Sequence, residues 1–247
     1  MIRIDDYEQL KTRIVNWIKD YYWKYNIKAL VVGVSGGIDS AVVSTLCAET
    51  GFPTYVLTMP LHSKEDNTEL SDAHAYKLVE KYPNVTLVNV DLTETYDKFM
   101  LHVDDTFTGN QLANANTKSR LRMVALYQVA GSVGGIVVGT GNKVEDYGVG
   151  FYTKYGDGGV DIAPIADLYK SEVWELGEYL DVDQRIVDAK PTDGLWDDGR
   201  NDEDQIGATY VELEEAMENK TGVALNILEE YNKKNKHKME PIPTFKL

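Results

Sequence analysis

The chain of 247 residues predicts an α/β fold: a parallel sheet of about five strands with helices on both faces, three layers deep. Three observations carry that prediction. Short, nearly continuous apolar runs recur along the chain, as strands covered on both faces require. Segments of helical periodicity separate them. Alternation of the two types builds βαβ units, whose crossovers place helices on both sides of a parallel sheet.

The elements follow in order. Residues 4–25 carry apolar side chains at Ile4, Tyr7, Leu10, Ile14, Trp17, Ile18 and Tyr21, one face of a helix. "ALVVGV" (29–34) is the first strand. "AVVSTLCAET" (41–50) is a helix closed by Gly51 and Pro53. "TYVLTM" (54–59) and "VTLVNV" (85–90) are strands on either side of a helix at 65–80. Helices at about 93–103 and 111–131 precede a fourth strand, "GIVVGT" (135–140). A weaker fifth strand is expected near "VDIAPI" (160–165), then helices at about 169–180, 203–219 and 223–236. Residues 188–204, "DAKPTDGLWDDGRNDED", are acidic and rich in turn formers; 188–205 reads as a long mobile loop, a candidate lid. There is no internal repeat, and 1–247 is expected to form a single domain.

Composition narrows the function. Hydrophobic residues make up 43% of the chain, enough for a sizeable core. No apolar run reaches the ~20 residues of a membrane helix, so no membrane partner is expected. The first 25 residues are charged and amphipathic, unlike a signal peptide, and a cytoplasmic location is the default. The single cysteine, Cys47, rules out an internal disulfide or a cysteine cluster for metal. A net charge of −15 argues against a nucleic-acid partner and demands local cations around any anionic ligand.

The chemistry begins at "LVVGVSGGIDSAVV" (30–43), where a strand turns into a helix through Ser-Gly-Gly-Ile-Asp-Ser. Parallel sheets bind ligands at the carboxyl ends of their strands, and Val34 is such an end. Gly36 and Gly37 allow close approach to the backbone. The unpaired N–H groups of the helix's first turn attract anions, and Ser35 and Ser40 add hydroxyls. Asp39 would repel a phosphate unless it holds Mg²⁺ between carboxylate and phosphate oxygens. Taken alone, the turn also reads as a capped strand–helix junction with Asp39 and Ser40 as caps.

The stretch is neither G-x-x-x-x-G-K-[ST] nor G-x-G-x-x-G. It resembles the SGGxDS pyrophosphate loop of the ATP pyrophosphatases, which split ATP between the α and β phosphates. Three further stretches, "NANTKSRLRM" (114–123), "VVGTGNKVEDYGVGFYTKYGDGGVDIAPIADLYK" (137–170) and "KPTDGLW" (190–196), resemble the ammonia-dependent members of the NAD synthetase family. The likeness runs to about Lys238. It departs at Ile38, where the family often has Gln.

That resemblance implies an adenine-nucleotide alpha-hydrolase-like fold, a homodimer and a set of site residues. ATP would contact Gly33, Val34, Ser35, Gly36, Gly37, Ile38, Asp39 and Ser40, with Thr140, Lys170 and Thr192. Asp39 and Glu145 would hold Mg²⁺. Deamido-NAD would contact Arg120, Lys154, Asp161, His237 and Lys238. From the residues alone, several of these have plainer readings: Thr140 as a strand-end cap, Glu145 as a surface acid, 151–161 as a surface loop and the basic tail as solvated. Lys170 differs, because a lysine in a first helical turn opposes the dipole, and a triphosphate partner would explain it.

The reaction implied is the last step of NAD biosynthesis, a C–N ligation. The nicotinate carboxylate of deamido-NAD attacks the α-phosphorus of ATP, and pyrophosphate leaves. Ammonia then displaces AMP from the acyl adenylate. No protein nucleophile is needed, and Cys47 reads as a packed residue. The alternatives are a GMP synthetase-like amidating domain, which would lack "FYTKYGDGG", and a nucleotide-binding regulatory module, which would not need Asp39 together with Glu145.

Overall fold

A computed structural model describes residues 4–63, 65–192 and 201–246. Helix α1 (Tyr7–Lys24) opens on Asp6, whose side chain accepts from Gln9 N at 2.8 Å. Strand β1 (Leu30–Val34), helix α2 (Ile38–Glu49), strand β2 (Thr54–Thr58), helix α3 (Glu65–Lys81) and strand β3 (Val85–Asn89) follow. Helix α4 (Thr93–Leu101), a short α5 (Asp105–Thr108) and the long α6 (Gln111–Val133) lead to strand β4 (Ile136–Val137). A π-helical stretch occupies Val144–Val149. Helices α7 (Lys170–Tyr179), α8 (Gln184–Val187), α9 (Asp202–Ile206), α10 (Tyr210–Asn219) and α11 (Leu225–Met239) complete the chain.

The sheet is parallel throughout, in the order β3-β2-β1-β4. The region expected to hold a fifth strand contributes one parallel bridge, Val138 to Ile162. The direction of strand addition reverses at β1: successive strands step outward to β3, and β4 then returns to the other side of β1. Such a switch point opens a crevice at the carboxyl ends of the two strands involved.

Alternation along the strands sorts the core. Leu30, Val32 and Val34 of β1 and Val56 of β2 face α1, α2, α3 and α7 in one cluster. Val31 and Leu57 face α4 and α6 in a second. Both faces of the sheet are therefore dry, which explains the near-continuous apolar strands. A third cluster lies beyond the sheet, where Val144 and Val149 pack with Ile206, Tyr210, Leu213 and Leu228 of α9, α10 and α11.

The helix expected over 203–219 divides into α9 and α10, because Gly207 closes α9 in the left-handed region (φ 86°) and Thr209 caps α10. Within 188–205, residues 193–200 lie outside those described, and Asp202–Gln205 belong to α9. Among the described residues, no helix is long and apolar enough to cross a membrane.

Candidate active site

The loop after β1 lies at the switch point. Gly36 takes a φ of 87°, a conformation that costs other residues strain. Gly37 is the N-cap of α2 and supplies no side-chain bond to the first-turn amides. Ser40 does not cap in the ordinary sense. Its Oγ donates to Gly37 O (2.9 Å) and accepts from Ser35 N (3.1 Å), which braces the loop. Ile38 is buried, and its Cδ1 lies 2.5 Å from where a Cβ on Gly177 of α7 would stand. Its side chain thus packs into the core, away from the loop's polar face.

Asp39 meets Lys170 of α7 and Asn142, and through them Glu145. Lys170 Nζ, at the start of α7, lies 2.5 Å from Asp39 Oδ2 and 3.1 Å from Glu145 Oε1 of the π-helical stretch. Asn142 Nδ2 donates to Asp39 Oδ1 at 3.1 Å, while its Oδ1 accepts from the backbone N–H groups of Val144 and Glu145. Tyr210 of α10 donates to Glu145 Oε1 at 2.7 Å, and its ring centroid lies 5.0 Å from Lys170 Nζ. Lys170 is 2% exposed. Two carboxylates thus offset the dipole at this first-turn lysine, a place the sequence assigned to a triphosphate.

The charges follow from these contacts. Burial opposes the charge on Lys170, but Asp39 and Glu145 outweigh it and hold the pKa above the ordinary lysine value. Burial pushes Asp39 up, Lys170 pulls it back and Glu145 adds to the rise. Burial would also raise Glu145; Lys170 and the hydrogen bond from Tyr210 prevail and hold it below the usual range. Asp146, beside them, is pushed up to about 7 by burial and by Glu145, Asp157 and Asp39.

The site's donors suit a hard cation. Among the described residues no group of three or more His, Cys, Asp and Glu converges as a metal cage. Two carboxylates that already share one cation do match Mg²⁺, which takes one or two protein carboxylates and completes its shell from phosphate oxygens and water.

A second cluster gathers the predicted dinucleotide cations. Asp157 accepts from Ser119 Oγ (2.7 Å) and Thr153 N (3.0 Å), docking the 151–159 loop on α6. Gly156 sits so close to Ser119 that a Cβ would stand 2.2 Å from its Oγ. The docked loop meets Arg120, whose Nη2 donates to Lys154 O at 3.3 Å, and Lys154 Nζ donates to His237 O at 3.1 Å. Lys238 Nζ donates to Gly150 O and to Tyr152 O (2.8 Å). Residues 117 positions apart thus come together. Asp161 accepts from Val137 N at 2.7 Å on β4. Thr140 closes the segment after β4, and Thr192 is exposed at the edge of the described residues.

Asn142, Asp146, Tyr210 and Glu214 were not singled out by the sequence. Asn142 and Asp146 lie inside a quoted stretch, where their neighbours drew the attention. Tyr210 and Glu214 belong to an ordinary amphipathic helix and carry no local signal. Glu214 is 1% exposed and accepts from Ser171 N (2.9 Å) and Ser171 Oγ (2.6 Å), beside Lys170.

A model of the NAD synthase family matches residues 10–242. The chain belongs to that family. It is 35% identical to an NH(3)-dependent NAD(+) synthetase of Methanosarcina mazei, over 96% of this chain and 98% of that one. Among solved structures, an NMN synthetase from Francisella tularensis superposes with a TM-score of 0.91 at 34% identity, covering 99% of this chain and all of the other. An NH3-dependent NAD synthetase from Campylobacter jejuni, in complex with the nitrate ion, gives a TM-score of 0.78 at 25% identity, covering 98% and 100%. As an NAD synthase family member, the chain is an ATP-dependent ligase that forms a C–N bond.

Proposed function

We propose that the protein amidates deamido-NAD with ammonia, consuming ATP and releasing AMP and pyrophosphate. The observation that carries this reading is the meeting of Asp39, Glu145 and Lys170 beside the open N-terminus of α2. The 33–40 loop, Thr140 and Thr192 would receive ATP, with Lys170 on its phosphates. Arg120, Lys154, His237 and Lys238 would hold the dinucleotide, with Asp161 at the rim of that site. Asp39 and Glu145 would hold Mg²⁺, which when bound neutralises charge on the departing pyrophosphate.

The residues then divide the work. First-turn amides of α2 and the hydroxyl of Ser35 orient the triphosphate, on a loop braced by Ser40, so the nicotinate carboxylate faces the α-phosphorus in line. Attack expels pyrophosphate and leaves an acyl adenylate. Ammonia adds to the acyl carbon, AMP departs and the amide remains. The protein's contribution is position and charge, and water must be kept from the adenylate.

We place the reaction in the cytoplasm and in a homodimer. Helix α6 supports the dimer: of its 23 residues, only Ala115, Lys118, Ser119 and Ala130 are buried, and Leu112, Val124 and Tyr127 face outward.

A second reading keeps the chemistry and shortens the substrate to nicotinate mononucleotide. The superposition on the Francisella tularensis NMN synthetase, end to end in both chains, favours it. Purified protein given ATP, Mg²⁺, ammonium and either nucleotide separates the two. Equal AMP and NAD from deamido-NAD supports the first reading. AMP and amidated mononucleotide, with deamido-NAD inert, supports the second. No AMP with either nucleotide refutes both.

A further inference from the structure

Lys170 bridges the two carboxylates proposed to hold the metal. Its ammonium is 2.5 Å from Asp39 and 3.1 Å from Glu145, and its side chain is 3% exposed. A divalent ion on the same two carboxylates would stand within a few ångströms of that ammonium. Like charges so close, in a site this dry, repel strongly. The two occupancies exclude each other.

The surroundings favour the ammonium. The positive end of α7 repels a lysine at its first position, and the two carboxylates offset that repulsion. The face of Tyr210 adds a cation–π contact. Asn142 and the Tyr210 hydroxyl hold Asp39 and Glu145 in place through bonds that do not involve Lys170. The carboxylates can therefore stay converged if the ammonium moves.

We propose that Lys170 is a built-in counter-ion with two stations: between Asp39 and Glu145 when no nucleotide is present, and on the phosphates once ATP delivers its own divalent ion. This deepens the proposed function and rests on its assignment of Asp39 and Glu145. It makes Lys170 a positioning residue that keeps free divalent ions out until phosphates offer the ammonium another partner. Coupling of this kind is reciprocal, so nucleotide and metal each raise the other's affinity.

The test uses Mn²⁺ alone, measured by electron paramagnetic resonance without nucleotide or turnover. Lys170→Met should bind Mn²⁺ about 5- to 150-fold more tightly than the parent protein, the usual span of such couplings. Adding Glu145→Gln to that variant should abolish the gain. If Lys170→Met binds Mn²⁺ no more tightly than the parent, the two-station proposal is overturned. Should that variant not fold, the parent protein suffices. With ¹⁵N-labelled lysine, the Lys170 ammonium resonance should shift when Mg²⁺ and a non-hydrolysable ATP analogue are added together, and stay put with Mg²⁺ alone. A resonance unmoved by both together overturns the proposal equally. Failure of the amidation assay with both nucleotides would be a separate result, because neither measurement requires product.

Discussion

Glu214→Ala tests how the fold fixes Lys170. The carboxylate of Glu214 is buried at the first turn of α7 and accepts two bonds from Ser171, the residue after Lys170. Hydrogen bonds to a charged group contribute about 1.5–3 kcal/mol each, and an orphaned buried amide costs a comparable amount. An anion at a partly buried helix N-terminus adds up to about 2 kcal/mol. These effects overlap, so the net loss should be about 4 kcal/mol, near the upper end for a single substitution. For a chain of this size each kcal/mol lowers Tm by about 2–4 °C, giving a fall of roughly 8–16 °C. Glu214→Gln keeps the shape and one acceptor and should recover about half of it. Lys170 would lose its anchor along with Ser171, so half-saturation by ATP should rise in Glu214→Ala and recover partly in Glu214→Gln. Calorimetry and initial rates over an ATP series measure both. A Glu214→Ala protein that melts within 2 °C of the parent (about 1 kcal/mol or less), with unchanged ATP dependence, would refute the reasoning.

Asp39→Asn and Glu145→Gln should each slow turnover by about 10²–10³. Because both carboxylates face the same cation, the double variant should lose less than the product of the two, as rates at fixed Mg²⁺ will show. His74 is buried and hydrogen-bonded to Ser44 at 3.0 Å, and burial and Lys77 lower its pKa from 6.5 to about 4. The unfolded chain therefore binds the extra proton first, and stability present above pH 6.5 should fall by roughly 3 kcal/mol as pH drops towards 4. Urea titrations at several pH values should show that slope in the parent and a flatter one in His74→Gln. Cys47 is fully buried, with its thiol pushed up to about 12 by burial. Thiol reagents should label it only after denaturation, Cys47→Ser should keep most activity, and glutamine should not replace ammonium in a product assay.

Much of the fold was legible because its signals are local. β1 and α2 are announced by an apolar run, a glycine turn and a helical run, and observed ends agree within a few residues. The weak strand near 160–165 shrinks to a bridge because Asp161 turns its carboxylate onto the backbone of β4. The π-helical stretch and α5 went unread, since neither a wide turn nor a four-residue helix leaves a periodicity to detect. At the candidate site, motif residues were legible and their supports were not. Tyr210 reaches Glu145 across 65 positions, a pairing that only tertiary packing creates. The acidic partners of Lys170 were hidden for the same reason, although its unfavourable place on a helix was plain.

The site straddles two hydrophobic clusters. α2 and α7 belong to the sheet's core, whereas Val144, beside Glu145, and Tyr210 belong to the cluster of the C-terminal helices. Proteins open in cooperative pieces, and a group that spans two pieces is only as durable as the weaker one. Fraying of α10 would withdraw Tyr210 from Glu145 while the strands stayed paired. Amide exchange in α10 and α11 therefore gauges how often the site comes apart, and a bound ligand that bridges the seam would slow that exchange in helices far from the phosphate loop.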